Sequence, residues 1–321
     1  MRLLVVSDIH YAGAAEKARR GWERRAIRPF PLRWIATFYR RHLWLADPTA
    51  HNAQLDAFLE RAGSPDWVVA NGDYSCDSAF VGVADDAAFD SARECLDRLR
   101  APFQDRFHAT LGDHELGKMS LFGGCGGPRL ASWHRAIGPL GLQPLWSQPA
   151  GRFHLVGITS SLLALPTFLP ELLPDERDAW HQLRTRHLES LQALWDAIPQ
   201  GHRVILFCHD PTALPFLARE PWFQARLPQL ACTVIGHLHS EAVLRTSRLL
   251  AGMPELAFLG NTARRLSGAL RRARHWAPFR VVLCPSPAGI QLRKDGGYLE
   301  INLHPNADSP PPVTRHHLPW P

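Results

Sequence analysis

A chain of 321 residues with 45% hydrophobic content has the composition of an ordinary globular protein and can bury one large core or two small ones. Its net charge of +6 comes with no apolar run near the roughly 18–20 residues of a spanning helix, which argues against a membrane-spanning protein. Six cysteines without paired spacing read as reduced thiols of a cytoplasm-like compartment rather than a disulfide framework.

The chain opens on the apolar run Leu3–Val6, so a first strand follows Met1-Arg2 directly and no cleaved leader is expected. That run ends in Asp8-Ile9-His10. Residues 13–47 then mix nine Lys/Arg with Trp22, Phe30, Trp34, Phe38, Tyr39 and Trp44, against only Glu16, Glu23 and Asp47. A helix is predicted after Asp47-Pro48, with Leu55, Phe58 and Leu59 facing the core. The run Trp67–Ala70 leads to Asn71-Gly72-Asp73. A helix near Asp86–Leu99 precedes the run Phe107–Leu111, which leads to Gly112-Asp113-His114-Glu115. Gly123–Gly127 lacks the lysine, the Ser/Thr and the spacing of a phosphate-binding loop.

The second half is expected to begin with a strand over 152–158. An apolar, proline-containing cap loop over 162–174 and a long helix from about Asp175 to Ala197 follow. The run Val204–Phe207 leads to Cys208-His209-Asp210, and Thr233–Ile235 to Gly236-His237-Leu238-His239. A short helix over 212–218 and strands near 244–249, 256–260, 279–284 and 297–303 complete the expectation. Residues 304–321 read as an irregular Pro/His-rich tail, leaving 1–303 as one domain. Short apolar runs closed by polar or glycine signals read as buried parallel strands. In α/β sheets, ligands gather beyond the carboxyl ends of such strands. Five runs therefore deliver Asp and His side chains to one crevice.

These five motifs, in this order, resemble the calcineurin-like metallophosphoesterase signature, and the resemblance spans roughly residues 1 to 262. It implies an α/β fold: a four-layer α/β/β/α sandwich of two mixed sheets flanked by helices. It also implies two divalent metal ions, with Mn favoured over Fe, Ni or Zn. Asp8, His10 and His239 would hold one ion, Asp113, His209 and His237 the other, and Asp73 would bridge them. His114 would contact the phosphate and protonate the leaving group, with a purely orienting role toward Asp73 as the alternative. Glu115 and Asp210 would support neighbouring imidazoles. The implied activity is hydrolysis of a phosphate ester or pyrophosphate by water activated between the metals.

Two departures from the family pattern are visible. Asp113 stands where the family has asparagine, which adds a negative charge beside the phosphate position. Cys76 stands where many relatives carry an aspartate, with Asp77 one position later, and Ser78 stands where the phosphoprotein-phosphatase branch carries an arginine, which argues against a serine/threonine protein phosphatase.

Two segments carry concentrated charge. Residues 13–47 contribute six net positive charges, and 263–280, read as a basic helix, contribute six arginines and no acid. Arginine interleaved with aromatic residues suits an anionic membrane surface, with Trp22, Trp34, Trp44 and Trp276 as inserted rings. It also suits nucleic acid, or a solvated cap packed on the domain. The apolar stretch 162–174 favours lipid. The preferred reading is a phosphoesterase or pyrophosphatase acting on a lipid-linked or membrane-proximal substrate, cytoplasmic and peripheral on the inner membrane face. The alternatives are a nucleic-acid or cyclic-nucleotide phosphodiesterase and a metal-binding scaffold without activity.

Overall fold

Alternation along the first strand decides the layering. In β1 (Arg2–Val6), Leu3 and Val5 point to one face and Leu4 and Val6 to the other, and all four are buried. A strand buried on both faces must lie inside a stack of layers. The computed structural model describes residues 1–120, 124–256, 261–304 and 310–320.

After β1 come α1 (Ala14–Ala18), α2 (Trp22–Ala26), α3 (Phe30–His42) and α4 (Ala53–Ala62). They are followed by β2 (Trp67–Asn71), α5 (Asp86–Phe103), β3 (Phe107–Thr110), α6 (Asp113–Leu116) and α7 (Leu130–Ile137). The second half runs β4 (Leu145–Ala150), β5 (Phe153–Ile158), α8 (Ser160–Leu163), α9 (Leu165–Phe168) and α10 (Arg177–Ala197). It continues through β6 (Arg203–Cys208), α11 (Leu214–Leu217), α12 (Pro221–Ala225), β7 (Leu230–Ile235), α13 (Glu241–Leu249) and α14 (Asn261–Arg272). β8 (Val281–Leu283), β9 (Gly297–Asn302) and β10 (Val313–His317) close the chain.

The strands form two five-stranded mixed sheets, ordered β10-β9-β1-β2-β3 and β4-β5-β6-β7-β8. β1, β2 and β3 run parallel, as do β5 through β8, while β9, β10 and β4 are antiparallel to their neighbours. Leu3, Val5, Val69, Phe153, Ile205, Phe207 and Val234 pack between the sheets. Leu4, Val6, Val68 and Ala70 pack outward on Leu55, Phe58, Leu96 and Leu99 of α4 and α5. Val156, Val204 and Leu206 pack outward on Leu191 and Trp195 of α10 and Phe223 of α12. The four-layer sandwich implied by the motifs is the observed architecture.

Several local expectations are corrected. The strand predicted near 244–249 is α13, because Ser240 caps Ala242 N–H and the buried side chains, Leu244 and Ser247, fall one helical turn apart. The one near 256–260 lies outside the described residues beyond Leu256. The apolar cap loop over 162–174 is largely helical, in α8, α9 and two short 3₁₀ turns. Leu162, Leu163, Leu165, Phe168 and Leu172 are buried, so this stretch is core rather than a lipid-facing loop. The basic segment 263–280 is helical as α14 and then a 3₁₀ turn over Ala273–Phe279, with Trp276 buried.

The tail is not irregular throughout. β10 adds to the edge of the first sheet, His316 stacks on Tyr298 with ring centres 4.9 Å apart, and Gln54 donates to the Pro319 carbonyl. The open edge of β9 supplies a hydrogen-bonding template that composition alone does not reveal. Among the described residues no helix is long and apolar enough to cross a membrane.

Candidate metal centre

Five parallel strands point their carboxyl ends to one side of the sandwich. β1, β2 and β3 of one sheet carry Asp8/His10, Asp73 and Asp113/His114 just past their ends; β6 and β7 of the other carry His209 and His237/His239. All eight predicted site residues are brought together. Donor atoms of Asp73, Asp113, His209 and His237 lie within 4.8 Å of one another, as do those of Asp8, His10 and His239, and those of His10, Asp73 and His114.

The backbone shows what this convergence costs. Asp8 (φ 55°), His10 (φ 49°), Asp73 (φ 60°), His237 (φ 61°) and His239 (φ 57°) all adopt left-handed conformations. Such a conformation costs an ordinary residue about 1–2 kcal/mol. Burial of each large core side chain contributes about 1.5–3 kcal/mol, so the packed layers beneath outweigh the strain. Strain of this kind concentrates at sites where geometry must be imposed. Close approach adds a second constraint. A Cβ on Gly112 would lie 2.2 Å from Asp73 Oδ1, and one on Gly236 would lie 2.1 Å from Ser7 Oγ and 2.5 Å from Asp8 Oδ2. These two motif glycines are therefore spacers between candidate ligands.

Hydrogen bonds fix which atom of each side chain faces the cluster. His209 Nδ1 lies 2.6 Å from the Asn71 carbonyl and donates to it, which frees Nε2. That Nε2 sits 3.2 Å from Asp113 Oδ1 and 3.3 Å from Asp73 Oδ2, yet is buried without a hydrogen-bond partner. His10 and His239 face each other Nε2 to Nε2 at 3.0 Å. Ser7 Oγ and the His237 N–H donate to the two oxygens of Asp8. His114 Nδ1 donates to the Ser75 carbonyl at 2.8 Å, leaving Nε2 3.6 Å from Asp73 Oδ2.

Electrostatics separates the histidines into two groups. Burial holds His10 well below the usual imidazole range, aided by His114 and His239, and pushes His239 down to about 3. Burial likewise lowers His114 to about 4, so it is neutral at pH 7. His237 and His209 move the other way. Burial alone would lower them, but Asp113 and Asp210 raise His237 to about 9, and Asp73 and Asp8 hold His209 well above its ordinary value. Burial raises Asp8 to about 6. The carboxylates therefore draw positive charge onto the two imidazoles nearest them. An orphaned buried imidazole nitrogen, a facing pair of ring nitrogens and three converging carboxylates fit a mixed oxygen–nitrogen site for two divalent cations.

Two supporting roles differ from expectation. Glu115 accepts from the backbone N–H groups of Asp73, Tyr74 and Gly112, not from an imidazole, and so fixes the loop carrying Asp73 to the loop carrying Asp113. Asp210 keeps the expected role only through its charge, which raises His237; its hydrogen bond is from Thr212 N–H and caps the turn after His209. Residues outside the motifs also reach the site. Trp44 packs against His239 with ring centres 4.7 Å apart. A cavity of about 400 Å³ above the cluster is lined by Tyr39, Arg40 and Trp44 on one side and Arg265, Leu266 and Ala269 on another, with Phe80 and Lys118 also on its wall. Nothing in the spacing of Trp44 or Lys118 marks them, since their placement depends on the path of the intervening chain.

Part of the basic segment 13–47 is structural. Glu16 is fully buried and accepts from Cys76 N–H and Ser78 N–H, and Trp22 packs with Ala12, Cys76 and Phe80. Arg19 pairs with Asp85 and Arg20 with Asp47. α3 is different. Phe30, Trp34 and Phe38, four residues apart, are 76%, 65% and 52% exposed. Of the four tryptophans expected to insert into lipid, Trp22 and Trp276 are buried, Trp44 lines the cavity, and Trp34 is exposed.

Comparison with known proteins agrees with the motifs. The calcineurin-like phosphoesterase profile matches residues 1–241. No curated protein matches the sequence. Among solved structures, a dimetal phosphatase from Danio rerio is 15% identical, covering 95% of this chain and 93% of its own, with a TM-score of 0.49. A phosphopantetheinyl hydrolase from Mycobacterium tuberculosis is 17% identical, covering 74% of this chain and 82% of its own, with a TM-score of 0.36. A purple acid phosphatase from yellow lupin (Lupinus luteus) seeds is 12% identical, covering 74% of this chain and 38% of its own, with a TM-score of 0.35. Because the profile spans all five motif loops, the chain belongs to the calcineurin-like phosphoesterase family and is a metal-dependent phosphoester hydrolase.

Proposed function

We propose that this enzyme hydrolyses a phosphate ester or pyrophosphate of a lipid-linked or membrane-proximal substrate. Asp8, His10 and His239 would hold one divalent cation, Asp113, His209 and His237 the other, and Asp73 would serve both. When bound, the two cations activate water and neutralise charge on the phosphoryl oxygens. A donor set divided between carboxylate and imidazole suits manganese, with iron, nickel and zinc as alternatives. His114 takes the remaining role. Its Nδ1 is committed to the Ser75 carbonyl, so at pH 7 its Nε2, 3.6 Å from Asp73 Oδ2, is unprotonated; an anionic phosphate beside it favours the imidazolium, and the proton that Nε2 then takes from solvent is the one it can pass to a leaving oxygen.

The observation that carries the substrate reading is the composition of the cavity walls. α3 contributes Tyr39 and Arg40, α14 contributes Arg265, Leu266 and Ala269, and neither helix contains an acidic residue. The aromatic row of α3 and Leu266 of α14 (60% exposed) are presented beside exposed Arg28, Arg41, Arg264 and Arg271. An amphipathic surface of this kind suits the headgroup zone of an anionic bilayer, where each arginine contributes about 1 kcal/mol. Sedimentation with vesicles tests it. Anionic vesicles should carry the protein down at low salt and release it at high salt, and neutral vesicles should bind it poorly. Binding to single-stranded nucleic acid in place of anionic vesicles would instead favour the nucleic-acid phosphodiesterase reading.

A further inference from the structure

The charged side chains of the cavity wall sort by whether they are neutralised. Arg40 is paired with Glu23, and Arg265 donates to both carboxylate oxygens of Glu171 at 2.8 and 3.0 Å. Lys118 is the exception among the described residues: its half-buried ammonium has no carboxylate partner. Nζ donates to the Cys76 carbonyl at 2.6 Å and lies 5.5 Å from the ring centre of Trp22 and 5.6 Å from that of Phe80. Asp77 is an acidic neighbour and feels the Lys118 charge, but it makes no ion pair with the ammonium: its oxygens accept from the backbone N–H groups of Lys118, Val81 and Gly82.

An ammonium has three donors, and one carbonyl uses one of them. A carbonyl and two ring faces orient the head without cancelling its charge. A partly desolvated cation in that state favours an anion. The same cavity holds Asp73, Asp113 and His114 on its floor, and Cys76, Phe80 and Lys118 on its wall. The reacting phosphoryl group is served at the floor, so the anion that Lys118 can take is a second one.

We propose that Lys118 binds a second phosphoryl group of the substrate, adjacent to the one attacked, so that the enzyme selects diphosphates over simple phosphate monoesters. This deepens the hydrolase reading above and rests on it. It does not depend on membrane binding.

The test compares phenyl diphosphate with phenyl phosphate, which share the aromatic group and differ by one phosphoryl unit. Binding to the metal-loaded protein is measured by titration calorimetry and hydrolysis in parallel, for wild type, Lys118→Met and Lys118→Arg. Wild type is expected to bind the diphosphate more tightly than the monoester. Loss of one charge-assisted hydrogen bond weakens binding by about tenfold or more. Lys118→Met should show that loss for the diphosphate, with a raised KM and little change in kcat, and should leave phenyl phosphate almost untouched. Lys118→Arg should restore most of the difference. Equal losses on both ligands would make Lys118 a structural residue or one that serves the reacting group, and would overturn the proposal. So would a wild type without preference for the diphosphate. Unchanged metal content and melting temperature in Lys118→Met exclude misfolding. Binding selectivity without turnover of either ligand would count against the hydrolase reading while leaving the anion site standing.

Discussion

The floor and the walls of the cavity are built on opposite principles. The floor is made of strand ends whose backbone is strained, whose side chains are almost all buried, and whose hydrogen bonds come from neighbouring loops of both sheets. The walls are helices inserted between those strands, with exposed aromatic rings and arginines and few ties to the core. A floor of that kind tolerates no drift, because ligand atoms must stay within a few tenths of an ångström to hold an ion. A wall can vary without disturbing it. The chemistry therefore belongs to the floor, and the choice of substrate to the walls.

The sharpest way to break this division is at Asp73, whose carboxylate lies in both ends of the cluster. Asp73→Ala should drop metal content from about two ions per chain to below one and activity by about 10³-fold or more, on the scale of several kcal/mol of charge stabilisation. Asp8→Ala should mainly weaken one ion. Metal analysis of the two variants checks this; retention of two ions in Asp73→Ala would remove the shared position.

His114 is the next largest effect. His114→Ala should cut turnover by about 10²–10⁴-fold with metal content nearly intact. Phenyl phosphate should suffer more than nitrophenyl phosphate, whose leaving group needs no proton. Equal losses on both substrates would reduce His114 to orienting Asp73.

The same division explains what could be read from the chain. Asp8, His10, Asp73, Asp113, His209, His237 and His239 were legible because each stands at a fixed offset from a short apolar run, and parallel strands impose that offset. Period-two alternation in Leu3–Val6 likewise gave away the layers. Where helical and extended periodicity compete over a few residues, as in 244–249, the cap at Ser240 decided for helix. β10 was invisible because its partner, the edge of β9, is a tertiary feature. Trp44 and Lys118 reach the cavity through the fold's path, and no local spacing encodes that. Charge counts also misled: Arg19 and Arg20 look free in the sequence and are paired in the structure.

The wall is tested on α3. Replacing Phe30, Trp34 and Phe38 together by serine removes exposed apolar surface without touching the cavity lining. Vesicle binding should weaken by about tenfold or more, since each ring contributes roughly a kcal/mol at an interface. Hydrolysis of nitrophenyl phosphate should stay within about twofold of wild type, because exposed changes of this kind perturb stability little. Vesicle binding that survives the triple change would shift the contact to the arginines of α14.

The smallest effect expected is at Asp113, where the floor itself departs from the family pattern. Three carboxylates set against two divalent cations leave the centre one positive charge, and asparagine at this position would leave two. Asp113 is held well below the usual carboxylate range: burial alone would raise it, but His237 and His209, at 2.9 and 3.2 Å, outweigh burial. It is thus a full negative charge facing the cavity. A charge about 4 Å from a phosphoryl oxygen interacts by several kcal/mol at the effective dielectric of a partly buried site, but the bound cations screen most of that. Asp113→Asn keeps an oxygen to accept from His237. It should therefore raise turnover of anionic esters by a few-fold, shift metal preference, and require more metal for saturation. Titrating activity against Mn, Fe, Ni and Zn separates these effects. Turnover unchanged or lower with every metal would mean that Asp113 strengthens metal binding by more than it repels the substrate.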